Sequence, residues 1–157
     1  MIIDGLLQFD PALSAITVTR VSTNTIDLLA QRDLGEDTSP SMLLYVGVNA
    51  AFTAGGAATL VVQLQGSSDN TNWFTYAETR AFTITELTPI GRLLVMAWPS
   101  VPVGVPGTGN IAGAAPRYLR LNYVVATGPM TAGSVNAQLV LDAQSTRQYP
   151  AGIVITN

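Results

Sequence analysis

The chain has 157 residues, enough for about one domain that buries roughly two thirds of its unfolded surface. It contains neither Cys nor His, which excludes disulfide staples, thiolate nucleophiles and imidazole-based acid–base or metal chemistry. Charged residues make up only 11%, against about 25% in ordinary globular domains, and the net charge of −3 argues against a nucleic-acid backbone as partner.

The predicted elements follow in chain order. Met1 to Asp4 lacks the basic start and apolar core of a secretory signal, and the apolar Ile2, Ile3, Leu6 and Leu7 have no evident strand partner. Strands are expected at 16–20 and 25–29, with 25–32 a mild helical competitor. The acidic loop residues Asp33, Glu36 and Asp37 lack the alternating spacing of a calcium-binding loop and read as solvated. A strand at 42–48 leads through the Gly55-Gly56 turn to 59–65. There Leu60, Val62 and Leu64 share one face and Gln63 and Gln65 the other. A turn at 67–70 precedes a strand at 73–78, whose Trp73 is expected to anchor in the core. Further strands are expected at 81–85 and 92–98.

Residues 99–116 form a long, uncharged, Pro/Gly-rich loop carrying Val101, Val103, Val105 and Ile111. Loops of this length are usually functional or disordered. Its aliphatic content suits an arm packed on a neighbouring subunit, with a loop lying on its own sheet as the alternative. Strand 117–123 alternates Leu119, Leu121 and Tyr123 against Tyr118, Arg120 and Asn122. After turns at 127–129 and 132–133, strand 135–142 alternates Val135, Ala137, Leu139 and Leu141 against Asn136, Gln138 and Asp142.

The dominant period is two, so the fold class is all-β: an antiparallel β-sandwich, expected as a jelly roll. Strand lengths alone do not separate this from an immunoglobulin-like sandwich. One domain spanning 1–157 is expected. The two long charge-free runs are broken by amides, prolines and glycines, so no membrane span is expected. All seven basic residues are Arg, a side chain that tolerates interfaces better than Lys does.

No catalytic motif is present, and ten scattered acids make a glycosidase pair improbable, so no enzymatic activity, metal or cofactor is expected. Binding is expected instead. The candidate contact residues are Ile2, Ile3, Leu6 and Leu7 at the N-terminus, Val101, Val103, Val105 and Ile111 on the loop, and Tyr149, Ile153 and Ile155 in the tail. Apolar termini suggest docking, with edge strands that complete the sandwich as an equal alternative. Arg117 and Arg120 join the candidates, either as contacts or as partners of Asp142 across a neighbouring strand.

Several segments carry a family resemblance together: Met1 to Asp4, Ala51 to Ser68, Arg117 to Tyr123, Gly128 to Gly133, Leu139 to Asp142 and Tyr149 to Ile153. The chain resembles the capsid cement, or decoration, proteins of tailed bacteriophages, of the type found on the Bordetella phage capsid. The resemblance implies a jelly roll without catalytic residues, bound to the outer surface of the mature icosahedral head. It further implies manufacture in the bacterial cytoplasm and a role in stapling neighbouring subunits of the major capsid protein. The implied partners are that protein and the chain itself, as a homodimer in preference to a homotrimer, with no nucleic acid and no membrane. The alternative is a carbohydrate- or receptor-binding β-sandwich of a phage tail or fibre.

Overall fold

A computed structural model describes residues 5–30, 42–97 and 116–140, with the backbone alone for 92–97. Among the described residues nine strands form two antiparallel sheets. The smaller has the order β7-β3-β9, from Gly91–Ala97, Leu43–Ala54 and Met130–Val140. The larger is built on β4 (Thr59–Ser67) and β8 (Tyr118–Ala126). Its outer positions are filled on one side by β1 (Arg20–Val21) and β2 (Ile26–Asp27), on the other by β5 (Phe74–Glu78) and β6 (Phe82–Thr83).

The protein is therefore the expected antiparallel β-sandwich. Two of its pairings are those a jelly roll would make: β3 lies beside β9 in one sheet, and their chain neighbours β4 and β8 pair in the other. The inner strands depart from a simple wind, since β5 and β6 both hang on β4 while β7 returns to β3.

The alternation seen in the sequence sets the core. Leu60, Val62, Leu64, Leu119, Leu121 and Tyr123 from the larger sheet meet Leu44, Val46, Val48, Phe52, Val135, Ala137 and Leu139 from the smaller. Burying each large aliphatic or aromatic side chain contributes roughly 1.5–3 kcal/mol.

Three local expectations change. The strand expected at 81–85 is only two residues long and runs into a one-turn helix, α1 (Ile84–Leu87). Thr83 and Glu86 form a reciprocal capping box there, which satisfies the Thr83 and Glu86 N–H groups locally. The strand expected at 16–20 is reduced to Arg20–Val21. The Ala132-Gly133 pair is not a turn but lies inside β9, where Gly133 has φ +129°. A Cβ at Gly133 would stand 2.2 Å from the Phe52 ring, so the glycine lets two strands approach closely.

β9 is buried on both faces rather than one, with Gln138 only 1% exposed. The N-terminal segment explains this. Gln8 bridges Gln138, the Phe9 N–H donates to the Ala137 carbonyl at 2.8 Å, and Ile16 N–H donates to Gly133 at 2.8 Å. The segment thereby extends the smaller sheet past β9.

Candidate functional site

The outward face of the larger sheet is the candidate site. β4 and β8 place Gln63 opposite Asn122, Gln65 opposite Arg120 and Val61 opposite Val124. Because the side-chain period is two, burying the leucines on one side presents these residues together on the other.

The polar side chains there bond across the strands. Asn122 Nδ2 donates to Gln63 Oε1 at 2.8 Å, and Gln63 Nε2 donates to Glu78 Oε2 at 3.0 Å. In the next row Arg120 Nε donates to Gln65 Oε1 at 2.8 Å, and Gln65 Nε2 donates to Thr75 Oγ1 at 3.3 Å. Each amide is oriented by its neighbours, so the face is ordered before anything binds to it. Cross-strand pairs of this kind contribute about 0.2–1 kcal/mol each.

Trp73 does not sit in the core as expected. It is half-buried at the edge of this face, with the Arg120 guanidinium 4.0 Å above its ring. The cause is its position just before β5, an edge strand whose pairing with β4 shifts register between Leu64 and Gln65. Burial draws the Arg120 pKa below the usual arginine value.

Asp142, the partner expected for Arg117 or Arg120 across a neighbouring strand, is not on a strand beside β8. The neighbours of β8 are β4, β1 and β2, whereas Asp142 follows β9 of the other sheet and lies outside the described residues. Arg117 instead forks onto Asp27 of β2, with Nε–Oδ1 and Nη2–Oδ2 distances of 2.9 Å. This pairing holds the Asp27 carboxyl below the ordinary carboxylate range. The Arg117 guanidinium also lies 4.8 Å from the Tyr118 ring centre.

At the N-terminus, Leu6 is 80% exposed while Leu7 packs against the core. Ile2, Ile3, Val101, Val103, Val105, Ile111, Tyr149, Ile153 and Ile155 lie outside the described residues, as do Trp98 and the acidic loop. So does the 99–116 loop, except its last residue.

A polar centre not anticipated in the sequence lies inside the sandwich. Asp10 is 1% exposed and accepts hydrogen bonds from Arg20 Nη1 at 3.0 Å, from the Thr23 N–H at 3.2 Å and from the Tyr123 hydroxyl. Burial, reinforced by the adjacent carboxylate, pushes the Tyr123 pKa well above the usual phenol value. The centre fastens the N-terminal segment to β8. Its only sequence signal is an aspartate flanked by Phe9 and Pro11 in an apolar stretch.

Elsewhere, a cleft of about 360 Å³ is lined by Val48, Arg80, Phe82, Glu86, Pro89, Ile90 and Gly91. Its two charges neutralise each other, with Arg80 Nη1 3.1 Å from Glu86 Oε2. Among the described residues no group of three acidic side chains is arranged to hold a metal ion, and no helix is long and apolar enough to cross a membrane.

The fold and this amide-bonded face define an all-β sandwich with an outer surface whose polar side chains are bonded to one another. Comparison with curated proteins gave no match. The chain belongs to the Bbp16 family, a Bordetella phage protein family, whose model matches residues 12–139, well over half of its length.

Proposed function

We propose that the protein is a capsid cement protein that acts by binding, without catalysis. It sits on the outer surface of the mature phage head and staples neighbouring major capsid protein subunits, as a homodimer in preference to a homotrimer. Membership of a phage protein family makes a virion role the natural frame. The observation that carries the reading is the broad outer face of the larger sheet, whose polar groups are mutually bonded and nearly free of net charge.

Such a face suits docking against another protein. Its amides are already oriented, so little side-chain entropy is lost on binding. Contacts through amides and apolar groups change little with ionic strength, whereas exposed ion pairs are screened. A small oligomer touching several capsid subunits multiplies a modest single contact through effective concentration. A protein that recognises only the expanded shell stabilises that state by its differential affinity.

The test is to mix the purified protein with undecorated, expanded capsids. Co-sedimentation and a raised capsid melting temperature are expected. Absence of both overturns the proposal. Binding on a glycan array would favour the tail or fibre alternative. That alternative relies on an open aromatic platform, and the Trp73 ring already carries the Arg120 guanidinium on one side.

A further inference from the structure

Four arginines have described side chains, and three of them are matched by a carboxylate. Arg20 pairs with Asp10, Arg80 with Glu86 and Arg117 with Asp27. Arg120 forms no ion pair among the described residues. Its Nε bonds the neutral Gln65 Oε1 at 2.8 Å, and its plane rests 4.0 Å from the Trp73 ring centre. The carboxylates nearest in sequence to its neighbours are engaged otherwise. Glu78 accepts from Gln63, and Asp69 accepts from Thr71, Asn72 and Ser67.

This arrangement has a chemical consequence. A guanidinium has five N–H donors in a rigid fork, and Arg120 uses Nε on Gln65. The Nε bond and the stacking on Trp73 fix the plane of the fork. Partial burial has already removed part of the hydration of the charge. A fixed, partly dehydrated cation with no carboxylate partner among the described residues gains most from a planar anion presented in its own plane, and a carboxylate has that geometry. Arg and Trp are also the residue types that most often dominate protein interfaces.

We propose that Arg120, held by Trp73 and Gln65, is a receptor for one Asp or Glu side chain of the protein partner that docks on the outer face of the larger sheet. The choice of the major capsid protein as that partner rests on the proposed cement function; the carboxylate chemistry does not. The net charge of −3 favours an isolated acidic side chain over a phosphate chain, which needs a basic surface. One such pair, shut away from water at an interface, is screened far less than an exposed pair. It is therefore compatible with binding that depends only weakly on salt.

Two measurements test this on the full chain. In the first, sodium acetate is titrated against sodium chloride at equal ionic strength, and the arginine Nε–H resonances are followed by NMR. A saturable shift of the Arg120 signal, absent from Arg80 and Arg117, is expected. No shift specific to Arg120 overturns the proposal. In the second, wild type and Arg120→Gln are compared for binding to undecorated expanded capsids. A loss of about tenfold or more in affinity is expected, with the melting temperature of the free protein lowered by no more than about 4 °C. Wild-type binding with an equally tight R120Q overturns the docking role while leaving the cement function standing. Failure of the wild type to bind capsids, with the acetate shift intact, overturns the cement function and supports the carboxylate receptor.

Discussion

Replacing Asp10 with Ala removes one carboxylate from three donors at once. The Tyr123 hydroxyl loses its acceptor in a fully buried position, at a cost of about 1–3 kcal/mol. The Thr23 N–H loses a 3.2 Å bond, worth roughly 1 kcal/mol. Arg20 loses its ion pair but keeps the carbonyls of Ser14 and Val21, each at 2.8 Å, and its side chain is 21% exposed. The roughly 3–5 kcal/mol typical of a broken, fully buried pair is therefore an upper bound for that part. A total of about 3 kcal/mol is expected, a large fraction of the roughly 5–15 kcal/mol that holds such a domain together. Urea unfolding measures it as a lower midpoint at unchanged slope. Asp10→Asn keeps one acceptor oxygen, and its amide can donate to the Tyr123 oxygen, so about 1 kcal/mol is expected. If Asp10→Ala costs less than about 1 kcal/mol, or if Asp10→Asn costs as much as Asp10→Ala, the account of this centre as the fastening of the N-terminal segment is wrong.

Gly133→Ala places a methyl 2.2 Å from the Phe52 ring at a φ of +129°. Overpacking and backbone strain together predict a loss of about 3 kcal/mol, read as a lower midpoint in chemical denaturation. At alkaline pH the raised Tyr123 pKa sets the sign: its contribution is complete below about pH 10 and declines above it, by up to about 1.4 kcal/mol per pH unit. Unfolding free energies between pH 9 and pH 11 check this, and Tyr123→Phe is expected to flatten the decline. At acid pH, Arg80 and the capping bonds hold the Glu86 carboxyl down to about 2, and Arg117 lowers that of Asp27. Their contributions are complete above the ordinary carboxylate range of about 4 and are lost as the pH falls through the folded values. Arg80→Gln with Arg117→Gln should make the melting temperature less sensitive to pH between about 4 and 2.

The parts of the fold legible in the sequence are those governed by alternation. Leu60, Val62 and Leu64, and likewise Leu119, Leu121 and Tyr123, declare their buried face because most of the opposite positions are amides or arginine, with Val61 and Tyr118 the exceptions. That same contrast puts Gln63 and Gln65 on one face of their strand and Arg120 and Asn122 on one face of theirs, but only the pairing of β4 with β8 joins the two faces into one surface. The short elements were not legible. Arg20–Val21 and Ile26–Asp27 have two residues each, too few to express a period, and are held by pairing with a strand distant in sequence. Trp73 was misjudged because hydrophobicity argues for the core, whereas its place beside an edge strand is set by a register shift that no local pattern reports. Gln138 was assigned to an open face because nothing in strand 135–142 announces that residues 8 and 9 will lie along it.

The placement of charge supplies the last step. The three matched pairs occur where ladders are shortest. Asp10 with Arg20 secures the N-terminal segment, Asp27 with Arg117 secures two-residue β2 to the start of β8, and Arg80 with Glu86 secures the single turn of α1 beside two-residue β6. Short ladders contribute few backbone hydrogen bonds, and a directed charge pair supplies the geometric restraint they lack. Arg120 stands instead within the β4–β8 ladder, where nine residue pairs already fix the register. No structural restraint is needed there, and the fold offers it no described carboxylate. In a chain with so little charge, a cation that has no carboxylate among the described residues and stands where the register is already fixed is suited to a contact made outside the molecule. This is why the outer face of the larger sheet, more than the cleft at Arg80 and Glu86, is the surface on which a partner should be sought.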